Sequence, residues 1–155
     1  MTDETELERL VRTYEHTLYR AAAAILGDAH EAEDAVQDTF LAWLERPPVC
    51  PDGAHQRAWL LKVTVNGCKS RLRAPWRQRT APLLESFPAA APEEQGVMEA
   101  MLRLRPKDRA AVHLFYYEGY QTGEIAAILG EREGTTRSRL SRARKKLKDF
   151  LAEEV

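Results

Sequence analysis

The chain has 155 residues and a mass of 17.6 kDa, with 23 Lys and Arg against 24 Asp and Glu and an apolar fraction of 44%. That composition suits one ordinary domain or two small ones, and it excludes disordered, collagen-like and disulfide-scaffold classes. The acidic start Met1–Glu6 and an apolar run no longer than Ala21–Leu26 argue against a secretory leader or a spanning helix, so the expected location is the cytoplasm, without membrane insertion.

Taken in order, the first predicted element is a helix on Leu7, Leu10, Val11, Tyr14, Leu18, Ala22 and Ile25, stopped at Gly27. Asp28 followed three residues later by Glu31 is an N-terminal cap that opens a second helix, with Ala32, Val36, Phe40, Trp43 and Leu44 as its apolar stripe and Pro47-Pro48 as its end. A loop to about Gly53 leads into a third helix from about Ala54 to Arg73. Residues 74–94 carry Pro75, Pro82, Pro88 and Pro92 with few periodic apolar positions, which reads as a flexible linker. Beyond it come a short helix on Val97, Met98, Met101 and Leu102, a helix from Pro106 to about Tyr117, a short helix Gly123–Leu129 stopped at Gly130, and a last helix from Thr135 to about Leu151. The expected fold is all-α: two small helical domains, 1–75 and 95–155, joined by a linker over 76–94.

Charge is distributed in blocks. Residues 1–45 carry a net −8, 46–80 a net +7, 81–101 a net −4 and 102–155 a net +4. Blocks of opposite sign point to separate surfaces for separate partners, with accidental clustering of solvated side chains as the alternative. Cys50 and Cys68 form no C-x-x-C pair and read as incidental reduced thiols. His16, His30, His55 and His113 have no metal-ligand spacing, and no cofactor, metal or small-molecule substrate is expected.

The last two helices form a helix-turn-helix pattern, in which a short helix and a glycine-containing turn precede a helix with seven basic and no acidic residues between Gly134 and Lys148. Thr136, Leu140, Ala143 and Leu147 share one stripe that should face the core. The opposite face then presents Ser138, Ser141, Arg142 and Lys145, with Thr135 and Arg139 at its edges. Arginine and lysine suit guanine edges and phosphates, and short hydroxyls permit close approach to a major groove. Residues 46–80 give a second basic surface, where Lys62, Lys69, Arg71, Arg73, Arg77 and Arg79 accompany Trp59, Asn66 and Trp76. Cations can track phosphates while aromatics and an amide hold unstacked bases, although a Trp on an apolar stripe such as Trp59 is more often core and Asn66 could equally serve backbone. The second helix exposes Glu31, Glu33, Asp34, Gln37, Asp38 and Leu41, an acidic face suited to protein rather than DNA.

Two stretches carry a family resemblance. Asp34-Ala-Val-Gln-Asp-Thr-Phe40 with Ala58-Trp-Leu-Leu-Lys-Val-Thr-Val-Asn66 resembles the second region of bacterial RNA polymerase sigma factors of the extracytoplasmic-function (ECF) group. Leu104–Arg109, Tyr116–Tyr120, Glu124–Ala126 and Gly134–Arg144 resemble their fourth region. The resemblance implies a non-catalytic protein that binds core polymerase, through Asp34, Gln37, Asp38 and Leu41 on the β′ clamp helices and through a β-flap contact. It implies that Lys62, Asn66, Lys69, Arg73 and Trp59 engage the melted −10 element, with the Pro51–Gln56 loop shaping a pocket for one flipped base. It also implies that Thr135, Arg137, Ser138, Arg139, Ser141, Arg142 and Lys145 meet the −35 duplex, and that an anti-sigma protein is a further partner. Gln121 stands where the family usually has Ser as a cap, and Thr136 where Val is common. The competing reading is a stand-alone helix-turn-helix regulator that acts without polymerase.

Overall fold

The computed structural model describes residues 3–74 and 92–153, and within them every regular element is helical: α1 (Asp3–Leu26), α2 (Ala29–Glu45), α3 (Gly53–Leu72), α4 (Pro92–Leu102), α5 (Pro106–Tyr116), α6 (Thr122–Leu129) and α7 (Glu133–Ala152). Most of the expected linker lies outside the described residues, and α4 starts at Pro92, inside the stretch read as linker.

Helices α1, α2 and α3 bury Leu10, Leu18, Ala22, Ala32, Phe40, Trp43, Leu60, Leu61 and Val65 against one another. The joint between α1 and α2 is made by two residues. Gly27 takes the left-handed backbone (φ 69°) that glycine adopts without penalty, and the Asp28 carboxylate accepts the Glu31 N–H at 2.8 Å. Between α2 and α3 the Thr39 and Thr64 hydroxyls meet at 2.8 Å in an otherwise apolar interior. Each lies 2.9 Å from the carbonyl four residues before it, so one hydroxyl donates to its partner and the other to a carbonyl.

Asp52 caps α3 by accepting the His55 N–H at 2.9 Å, and this corrects the expected loop. Only Pro51 and Asp52 of the Pro51–Gln56 stretch precede the helix; Gly53 onward is its first turn, because the cap sits at Asp52.

Helices α4 to α7 form the second group, with Leu104, Ala111, Leu114, Ile125, Leu129, Leu140 and Ala143 inside. Gly130 (φ 73°) ends α6, and its N–H and that of Glu131 both reach the Ala126 carbonyl, at 2.8 and 3.0 Å. The helix-turn-helix is thus α6, the turn Gly130–Arg132, and α7. At the start of α6 the Glu124 carboxylate accepts the Gln121 N–H at 2.9 Å, so the weak Gln cap is supported from the carboxylate side.

The two groups are not merely tethered: α1 packs on α5 and α3 on α6. The Arg109 guanidinium donates to the carbonyls of Ala24 (2.8 Å) and Ile25 at the end of α1, and to those of Leu102 (3.3 Å) and Leu104 (2.6 Å). Helix ends leave such carbonyls without partners, so one planar fork joins both groups where each needs a donor.

Candidate nucleic-acid interface

On α7, Thr136, Leu140 and Ala143 are buried and Leu147 is half-buried, as the 3.6-residue period requires. Thr135, Arg137, Ser138, Ser141, Arg142 and Lys145 are exposed. Arg137 leans on Glu133 one turn back at 3.3 Å, a solvent-facing pair that competes weakly with any other acceptor.

Arg139 departs from the expected edge of this face and turns inward. Its guanidinium grips Glu131 through two bonds (2.9 and 3.2 Å) and Asp108 at 2.7 Å. Glu131 also accepts the Thr136 hydroxyl at 2.7 Å and lies 3.3 Å from Lys107. Burial alone would raise the Glu131 pKa, but the Arg139 and Thr136 hydrogen bonds and the Lys107 contact outweigh it and hold the carboxyl below its ordinary range. Burial would lower the Arg139 value, but its hydrogen bonds to Glu131 and Asp108 and their charges keep it above the usual one. This cluster clamps the turn and α7 onto α5, so Arg139 sets where the exposed basic face of α7 points. It also gives the buried Thr136 hydroxyl its acceptor.

The basic part of the first group is a stripe along α3. Trp59, Lys62, Asn66, Lys69 and Arg73 recur at three- and four-residue steps and therefore line one side of the helix. Lys62, Asn66 and Arg73 are exposed; Trp59 and Lys69 are half-buried. Trp59 and Lys62 line a cleft of about 610 Å³ between α3 and α6, closed on the far side by Glu118, Tyr120, Glu124 and Ile128. Lys69 donates to the Leu129 carbonyl at 2.9 Å, and burial, with Lys107 and other cations nearby, lowers its pKa from the ordinary lysine value.

On the far wall of this cleft Glu118 is the residue that sequence reasoning missed. Its carboxylate is almost fully enclosed and takes Arg57 at 2.6 Å, His113 at 2.8 Å and Arg20 at 3.7 Å. Burial would raise its pKa; the His113 hydrogen bond and the charges of His113, Arg20 and Arg57 reverse that and lower it. Arg57 also lies 4.9 Å above the Tyr120 ring. Arg57 is one cation among several in the basic 46–80 block and Glu118 lies on no apolar period, and their pairing spans 61 residues.

On α2, Asp34, Gln37, Asp38 and Leu41 are exposed on one face, with Leu41 56% exposed. Arg71 of α3 stands beside it, 2.7 Å from Asp38 and 4.0 Å from Asp34.

Comparison with known proteins places these surfaces in a family. The Sigma-70 region 2 family matches residues 10–78, and the Sigma-70 region 4 family matches residues 94–147. The ECF RNA polymerase sigma factor SigM of Mycobacterium tuberculosis is 33% identical over 154 residues, covering 96% of this chain and 79% of that protein. The chain is an ECF sigma factor. The chain is also similar to SigE of Mycolicibacterium smegmatis, at 34% identity over 94% of this chain and 61% of that one. Among solved structures, RpoE of Bartonella quintana in complex with the anti-sigma factor NepR superposes with a TM-score of 0.81 at 26% identity, covering 95% of this chain and 97% of that one. CnrH in complex with the cytosolic domain of CnrY gives 0.73 at 26% identity, covering 98% and 91%. This sigma factor therefore directs RNA polymerase to promoters, a reading that the stand-alone regulator does not match, since region 2 would have no task there. No described helix is long and apolar enough to cross a membrane.

Proposed function

We propose a division of labour among three surfaces of this sigma factor, over a region 2 domain at 1–75, a linker at 76–94 and a region 4 domain at 95–155. The α3 stripe of Trp59, Lys62, Asn66, Lys69 and Arg73 takes the melted −10 strand. Thr135, Arg137, Ser138, Ser141, Arg142 and Lys145 on α7 enter the −35 major groove, with Arg139 as a positioning residue behind them. Asp34, Gln37, Asp38 and Leu41 on α2 dock on core polymerase. The chain works in the cytoplasm, as a non-enzyme.

The observation that carries this reading is the single α3 stripe. An aromatic ring, an amide and three cations in one line can stack a base, hydrogen-bond its edge and follow the backbone, which duplex readers do not need. Base extrusion costs a few kcal/mol, and such contacts offset it without any chemical step. The −35 face supplies what a groove reader needs, namely guanidinium and ammonium groups beside short hydroxyls. Each site alone is small, and holding both on one polymerase raises the effective concentration of the second once the first is bound.

Because the solved structures of RpoE and CnrH each hold a protein partner, this chain too takes an anti-sigma protein as a partner in the proposed scheme. The test is transcription by purified core polymerase on genomic fragments, with and without this protein. New transcripts sharing two spaced upstream elements, weakened by Asn66→Ala and by Arg142→Ala, support the assignment. Start sites indifferent to both substitutions would remove it.

A further inference from the structure

Directly before the seven cations of α7 stands an acid, Glu133, in the first turn of the helix. In a helix-turn-helix the N-terminal residues of the second helix meet base edges, so this carboxylate lies where DNA, a polyanion, comes closest. Its side chain is half exposed, yet it is held in place. Oε2 accepts the Thr122 hydroxyl of α6 at 2.8 Å and lies 3.3 Å from a guanidinium nitrogen of Arg137, one turn on. Gly123 of α6 forms the floor, where an added Cβ would touch the carboxylate at 3.7 Å. Oε1 accepts no hydrogen bond among the described residues. Thr122 thus fixes one oxygen and leaves the other for a donor from outside.

We propose that Glu133 and Arg137 read one C·G base pair of the −35 element as a unit, Glu133 accepting from the cytosine amino group and Arg137 donating to the guanine edge. The proposal rests on the assignment of α7 to the −35 duplex. A C·G pair shows the major groove an amino donor on cytosine beside the O6 and N7 acceptors of guanine. The couple on α7 offers the reverse, an acceptor beside donors, 3.3 Å apart. Cytosine N4 and guanine O6 are themselves joined by a hydrogen bond about 2.9 Å long, so the two spacings match. In the same orientation a T·A or G·C pair sets a carbonyl against the carboxylate, and an A·T pair puts the thymine methyl where guanine N7 would take the second arginine bond. Rejection of wrong pairs comes from repulsion as well as from lost bonds. A first-turn acid also suits the helix dipole and ties α7 to α6 through Thr122, but that role makes no demand on DNA sequence.

The experiment uses the whole chain with core polymerase. A promoter that the holoenzyme transcribes is randomised over its upstream element, and transcripts are counted by sequencing. The wild type should prefer C·G at one position by about ten-fold. Glu133→Ala should lose that preference there and nowhere else, mainly by gaining transcription from the wrong pairs. Arg137→Ala should flatten the same position, and the double variant should flatten it no further, because the two side chains act together. Glu133→Gln keeps an acceptor for Thr122 and should move the position toward adenine, whose N6 and N7 a carboxamide meets. Circular dichroism checks the helix content, and if Glu133→Ala does not fold, Glu133→Gln carries the test.

A Glu133→Ala profile equal to the wild type overturns the proposal. So does a loss spread evenly over the element, or a wild-type profile under Glu133→Gln, since either makes Glu133 a structural residue. Flattening of two different positions by Glu133→Ala and Arg137→Ala overturns reading as a unit. Arg142→Ala separates these outcomes from the site assignment. If it alters the upstream profile while Glu133→Ala does not, only the reading by Glu133 is lost; if neither alters it, α7 is not the −35 reader and both fall.

Discussion

Helices α3 and α7 are both basic faces built on the same period, yet they stand in opposite situations. On α7 Arg139 turns inward and is neutralised within its own domain by Glu131 and Asp108, and Thr135, Ser138, Ser141, Arg142 and Lys145 are left in solvent. On α3 a cation of the basic stripe, Lys69, donates to a carbonyl of the other domain, and Trp59 and Lys62 line a cleft shared with that domain. The difference separates two uses of internal contacts. Contacts within a domain fix the direction of the α7 face, whereas contacts between domains take up part of the α3 face.

The sharpest way to break this contrast is to remove Arg139. Arg139→Ala leaves Glu131 and Asp108 without their main cation, and should cost about 3 kcal/mol, the lower end of what losing one partner of a buried ion pair costs. Chemical denaturation followed by circular dichroism reads it; a loss below about 1 kcal/mol would return Arg139 to the ranks of the DNA contacts. Next comes Arg142→Ala, which should leave stability unchanged and cost about 1–3 kcal/mol in binding to a −35 duplex, with loss of discrimination at one base pair. A uniform loss across all sequences would make Arg142 a phosphate contact instead.

Acid should act on both faces together. Glu118 and Glu131 are held below the ordinary value of 4.5, so the unfolded chain takes up their protons first. Their contribution is complete above about pH 4.5 and fades as pH falls through the lowered folded values. Scattering against pH should therefore show the domains parting in acid, and Glu118→Gln should lack its share of that dependence. The smallest effect belongs to Arg71→Ala. Its pairs with Asp38 and Asp34 are mostly solvated, so stability should change by no more than about 0.5–1 kcal/mol. Polymerase binding should hold or rise slightly as two carboxylates are freed.

Much of this was readable from residue order because it is local. Caps at Asp28, stops at Gly27 and Gly130, and the buried stripe of α7 depend on neighbours within one or two turns, and periodicity finds them. Arg139 shows where that reasoning stops. Helical period puts it at the edge of a face, and only the arrival of Asp108, 31 residues away, decides that it turns inward. Asp52 was legible in principle as a cap, but the proline-rich approach to it reads as continuing loop. The docking of α3 on α6 and the enclosure of Glu118 were not legible, because they depend on contacts about 60 residues apart whose side chains look like ordinary surface charge.

The stitch that Arg109 makes has a consequence in time. The carbonyls of Ala24 and Ile25 leave the ribosome 85 and 84 residues ahead of the guanidinium that will bond them. At 5–20 residues per second that is a delay of roughly 4–17 s. For those seconds the nascent first domain ends α1 in water and carries α3 uncovered, before the part of the chain that closes over it has been made.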